Sequence, residues 1–246
     1  MPRSTFAAVL AATSLAWTPA AQVQAQAAPP SLDRLKQESF AVVDANADRM
    51  GRINDAIFSY SEIGFQEYKT VALVKKTLEA AGFKVEMGVA GMPTAYKATY
   101  GSGSPVLGVM SEYDGVPGAS QRPGSLAHDP IVPGAPGHGE GHNSNQPTIV
   151  GGALAAKAIK DKYKLPGTLV VYGGPAEELL ASRGYMTNAG LFKGLDALIE
   201  AHIGEGLGTS YGLNNLAIIS AQWTSRAAPP TARGPGRAAA RWTPWS

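Results

Sequence analysis

The chain has 246 residues, ample for a sizeable core, with 44% hydrophobic and 16% charged residues, no cysteine and a formal net charge of +2. That sign comes from the ends: without Arg3, Arg226, Arg233, Arg237 and Arg241, the 21 basic residues fall to 16 against 19 acids, or −3 over residues 28–224. A weakly acidic body argues against a nucleic-acid surface, and the lack of cysteine excludes disulfides and lipid attachment to an N-terminal cysteine.

Arg3, an apolar run from Phe6 to Trp17 and Ala25-Gln26-Ala27 have the order of a secretory signal peptide cleaved after Ala27. The run is too short for a membrane anchor. Residues 31–61 carry apolar side chains at helical spacing (Leu35, Phe40, Val43, Ile53, Ile57, Phe58), predicting one or two amphipathic helices. A break at Gly64 precedes a second helix from Tyr68 to Ala81, ended by the capping Gly82. Strands are expected at Phe83 to Met87, Thr94 to Tyr100 and Val106 to Met110; the last runs into Ser111-Glu112-Tyr113-Asp114. Residues 115–146 are rich in glycine and proline and read as a long functional loop. A helix over 148–163 follows, with Lys157, Lys160, Lys162 and Lys164 as a solvated face, then a strand from Thr168 to Tyr172. A helix reaching Gly190 and a short buried strand from Leu195 to Ile199, leading to His202, complete the pattern. Alternating helices and apolar strands predict a three-layer α/β fold with a mostly parallel sheet and helices on both faces; sites in such sheets lie at the carboxyl edge of the strands.

Three acid/histidine clusters stand out: Gly137-His138-Gly139-Glu140-Gly141-His142-Asn143, Pro175-Ala176-Glu177-Glu178 and Ala201-His202, which hold three of the four histidines. Histidine and carboxylate converging from separate loops is what a zinc or manganese site requires, and a second acid beside a ligand can serve as general base. Taken singly, each has a plainer reading: a solvated loop histidine, helix-start acids, a turn acid at Asp114, a core histidine at 202. Their shared position at strand ends favours a metal-dependent hydrolase.

These motifs, with Ser59-Tyr60-Ser61-Glu62-Ile63-Gly64-Phe65 and Glu112-Tyr113-Asp114-Gly115-Val116-Pro117, resemble in order the co-catalytic metallopeptidases of the aminoacylase, hippuricase and p-aminobenzoyl-glutamate hydrolase group, from about residue 35 to Thr224. The resemblance implies a zinc-aminopeptidase-like catalytic domain over 28–224. It implies two divalent cations (Zn or Mn), with Glu140, His142, Glu178 and His202 as ligands. Glu177 is then the general base, Asp114 the acid that orients a neighbouring group, and His138 a supporting residue. Glu140 stands where that branch usually has cysteine, which suits harder cations. The implied substrate is a small N-acyl amino acid or dipeptide-like conjugate, with no nucleic-acid or membrane partner, in a periplasmic or secreted enzyme whose full-length form is a homodimer. A non-catalytic binding module that keeps the fold is the alternative, and a misfolding product a third.

Relatives of this kind continue past a strand like Ala217 to Thr224 into a dimerisation domain and a final histidine ligand. Here 16 of residues 225–246 are Ala, Arg, Pro or Gly, a composition unable to bury a core. Starting each codon one base earlier permits F-x-G-x-x-A-H-x-A-x-P-W-x-G-R-S-A-L-D-A-V-E, the continuation expected of the group. The tail is therefore read as a frameshift, the catalytic domain as truncated, and the 246-residue chain as having little or no hydrolase activity.

Overall fold

The computed structural model describes residues 30–204, Gly206 and Gly208, apart from Ala181. The expected leader at 1–27, strand at 217–224 and tail at 225–246 lie outside these residues. The first helix, α1 (Leu32–Tyr60), runs unbroken through Gly51, and its N-terminus is capped by the Ser31 side chain accepting from Arg34 N. Its second half buries Ile53 and Ile57, whereas Phe40 and Val43 are exposed. Helix α2 (Tyr68–Ala80) ends as its glycine predicts. Gly82 takes φ +89°, and the N–H groups of Gly82 and Phe83 bond back to Glu79 O and Leu78 O.

Strands β1 (Lys84–Met87), β2 (Tyr96–Ser102), β3 (Val106–Ser111), β4 (Gly167–Gly173) and β5 (Ala197–Glu200) form one sheet in the order β1-β2-β4-β3-β5. The sheet is mixed rather than mostly parallel. An eight-residue connection (88–95) joins β1 to β2 as an antiparallel hairpin, and β4 runs antiparallel to β2. Parallel pairing is confined to β3 with β4 and β3 with β5. The β3-to-β4 crossover contains α3 (His142–Tyr163), and α4 (Ser182–Asn188) lies between β4 and β5. The sequence places the start of α3 at 148. Pro147 and the polar run His142-Asn143-Ser144-Asn145-Gln146 hide its true origin, where Gly141 at φ +77° turns the chain into the helix.

Alternate residues of β4 face two cores. Val171 packs with Val74, Leu78, Tyr96, Val150 and Leu154 on the α2/α3 side, while Val170 and Tyr172 pack with Met92, Met110 and Met186 on the other. The sheet is thus covered on both faces, as three layers require. Strand β5 departs from expectation: every residue in it is exposed, at the sheet's edge. No helix among the described residues is long and apolar enough to cross a membrane. Because β3, β4 and β5 run in parallel, their carboxyl ends lead into Glu112, Glu177 and His202 at one edge.

Candidate metal centre

The end of β3 is sealed by hydrogen bonds. Ser111, Glu112, Tyr113 and Asp114 are all buried. Ser111 Oγ donates to Gln146 Oε1 (2.9 Å), Gln146 Nε2 to Tyr96 OH (2.7 Å), and Tyr113 OH to Thr94 O (2.7 Å). Burial pushes the Tyr96 phenol up to about 12 and the Tyr113 phenol well up, so both stay neutral. The first turn of α3 is fastened to two strand ends. Asn145 accepts from Glu112 N (3.2 Å) and donates to Ala201 O. This is the structural use of the polar run at 142–146.

His142 lies at the centre, 1% exposed. Its Nδ1 is 3.0 Å from Asp114 O and 3.2 Å from Asp114 Oδ1. Since the carbonyl can only accept, Nδ1 carries the proton, and Nε2 is the atom free for a ligand. That Nε2 lies 3.7 Å from Glu112 Oε1 and 3.9 Å from Glu177 Oε2. Burial opposes charge on the ring, but the hydrogen bond to Asp114 and the Glu112, Asp114 and Glu178 carboxylates outweigh it and lift the pKa to about 9, so a cation would bind Nε2 in place of a proton. His202 repeats the pattern. Its Nδ1 donates to Ile203 O (2.7 Å), and its Nε2 is 3.3 Å from Glu112 Oε1, with the ring edge-on to His142.

Glu177 and Glu178 lie in a single 3-10 turn (Glu177–Leu179) flanked by Ala176 at φ 55° and Leu180 at φ 56°. A left-handed conformation at two non-glycine residues is backbone strain beside the acids. The turn is held from both sides: Glu178 N donates to Asp114 Oδ2 (3.0 Å), and Ala176 N to Glu67 Oε1 (2.9 Å). Burial raises the Glu178 and Glu67 carboxyls; for Glu67, hydrogen bonds from Thr94 and from backbone N–H groups work the other way. Burial likewise raises Glu112, opposed by Arg183 and His142.

Two groups, Glu112–His142–His202 and His142–Glu177–Glu178, offer ligand atoms lying within 4.8 Å of one another. The buried Glu112 Oε1, His142 Nε2 and Glu178 Oε1 have no hydrogen-bond partner. Buried acceptors left unpaired are costly unless a cation satisfies them. The spacings also fit: two bonds of ~2.1 Å at a tetrahedral angle put ligand atoms about 3.4 Å apart.

The structure therefore brings together His142, Glu177, Glu178, His202 and Asp114, with Asp114 positioned as a hydrogen-bond partner of the His142 ring. Glu140 is exposed and belongs to neither group, although its charge contributes to raising Glu178. His138 bonds Ile57 O (3.1 Å) on α1, and burial lowers its pKa. Sequence reasoning did not single out Glu112 or Arg183 as site residues. Glu112 was visible at the end of the β3 strand, whereas nothing local marks Arg183. The 59–65 segment proves supportive: Glu62 caps α2 through Lys69 N and Thr70 N (both 2.9 Å) and accepts from Gly115 N at its carbonyl.

Residues 108–242 match the profile of peptidase family M20/M25/M40, a match that extends beyond residue 224 into the segment read as out of frame. Over 181 residues the chain is 33% identical to one of the subunits of p-aminobenzoyl-glutamate hydrolase from Escherichia coli, covering 74% of this chain and 37% of that one. It shares the fold of the Bacillus subtilis YXEP protein, described as a dinuclear metal binding peptidase (TM-score 0.53, 24% identity, 63% of this chain and 42% of that one). It also shares the fold of an aminobenzoyl-glutamate utilization protein from Klebsiella pneumoniae (TM-score 0.51, 18% identity, 68% and 46%). The chain spans about two fifths of the length of these relatives.

Proposed function

The chain belongs to peptidase family M20/M25/M40, and from that membership we propose that it is the catalytic unit of a metal-dependent amidohydrolase cleaving N-acyl amino acids or p-aminobenzoyl-glutamate-like conjugates. The observation that carries this reading is the set of unpaired buried acceptors on Glu112, His142 and Glu178, facing inward beside Glu177 at the carboxyl edge of the parallel strands. Glu112, His142, His202 and Glu178 would hold two divalent cations. A ligand set of carboxylates and imidazoles without thiolate suits manganese or zinc. When bound, the cations would lower the pKa of a water molecule and polarise the scissile carbonyl.

The chain's own residues supply the rest. Glu177, at the mouth of the site, takes the proton from water and returns it to the leaving amine. Asp114 keeps the His142 proton on Nδ1, so that Nε2 faces inward. Glu67, through Ala176 N, and Asp114, through Glu178 N, fix the turn that carries both acids. Export after cleavage at Ala27 and homodimerisation of a full-length form belong to the same proposal.

Calorimetric titration with Mn2+ tests the site. We expect about two equivalents in the unmodified chain, both retained in Glu177→Gln and one lost in Glu178→Gln. No binding by the unmodified chain sinks the proposal. Turnover of p-aminobenzoyl-glutamate is the activity expected of the whole protein, in which Glu177→Gln should cost roughly 100-fold or more in kcat. Cation binding without turnover in the whole protein favours the non-catalytic binding module.

A further inference from the structure

Arg183, on α4, reaches back from the second face of the sheet into the acid cluster. Its Nη1 donates to Glu177 Oε1 (3.1 Å), and its Nη2 to Glu112 Oε2 and Glu200 Oε1. In both site acids the guanidinium takes one oxygen and leaves the other pointing inward. Glu112 Oε1 faces His142 Nε2 and His202 Nε2, and Glu177 Oε2 faces His142 Nε2. A carboxylate turns readily about its terminal torsion, so an unrestrained one could present either oxygen, or both, to a cation. Its third partner, Glu200, closes β5 two residues before His202, the most exposed member of the cation groups. One planar fork thus ties together the ends of three strands.

We propose that Arg183 is a positioning residue for the cation site: it fixes which oxygen of Glu112 faces the cation and which oxygen of the base Glu177 faces into the site, and through Glu200 it brings His202 to the same point. This rests on the cation reading above. Geometry rather than charge alone is what the site requires, because only a planar fork with several donors engages separate carboxylates in fixed directions; an ammonium is a point charge.

The test uses the full chain, Mn2+ calorimetry and the visible spectrum of the Co2+-loaded protein. Arg183→Ala should weaken cation binding roughly 10–100-fold, the usual cost of losing a group that orients ligands. The Co2+ bands should change, while circular dichroism does not. Arg183→Lys should recover only part of the affinity, and millimolar guanidinium should restore binding to Arg183→Ala. Unchanged affinity and spectrum in Arg183→Ala overturn the proposal, as does a loss that guanidinium does not reverse, which would assign Arg183 a merely structural role. If Arg183→Ala does not fold, Arg183→Lys carries the test, and full affinity in it overturns the proposal. Absence of cation binding in the unmodified chain defeats the underlying metal reading instead, and the positioning role with it.

Discussion

A Cβ on Gly64 would lie 2.9 Å from Ala176 Cβ and 3.0 Å from Ala176 Cα, so the strained turn before Glu177 rests on a backbone that must stay bare. Gly64→Ala should therefore push Ala176 away, cost about 1–3 kcal/mol in stability by overpacking and weaken Mn2+ binding through Glu178. Denaturant titration and calorimetry on one sample check both effects, and a full-strength site in the variant would refute the link. At this scale the sequence revealed residue types better than partnerships. His142, Glu177, Glu178 and His202 were legible because histidines are few and sit beside acids. Glu112 was overshadowed by Asp114, whose part is to hold the His142 ring. Arg183 meets Glu112 across 71 positions of sequence, and no local pattern encodes such a meeting.

Helices α1 and α3 are joined by more than apolar contact. Tyr163 OH shares its one proton between the two oxygens of Glu38 (2.9 and 2.8 Å), with Lys162 Nζ at 2.9 Å and Arg34 Nε at 3.1 Å. Lys162, then Tyr163 and Arg34, draw the Glu38 carboxyl down from 4.5 to about 2. A lowered carboxyl contributes stability that is present above pH ~4.5 and lost as pH falls through about 2. Glu38→Gln should thus flatten the acid limb between those values and leave the slope near neutrality unchanged, as read from melting temperatures across pH 2–7. The elements themselves were largely legible: α2 with its terminal glycine, and all five strands to within two residues at either end. What escaped was the first six residues of α3, where Pro147 and a polar run conceal a helix whose side chains bond to other elements. The antiparallel half of the sheet also escaped. Connection lengths set it: eight residues after β1 and only Gly103-Ser104-Pro105 before β3 are too few for a crossover.

The molecule as a whole is a sheet with a well-buried centre and one thin side. Strand β4, paired on both flanks and packed on both faces, supplies the chain leading to Glu177 and Glu178. Strand β5 pairs with β3 along four residues, all of them exposed, and supplies His202. Local opening follows buried contact, so amide hydrogens of β4 should exchange only with global unfolding and those of β5 orders of magnitude sooner. Mass-resolved exchange would show this, and equal protection of the two strands would contradict it. The ligands of one centre therefore stand on ground of unequal firmness. The acids and His142 follow well-buried strands and a buried helix start, and His202 follows an exposed margin that is expected to open before the rest of the fold.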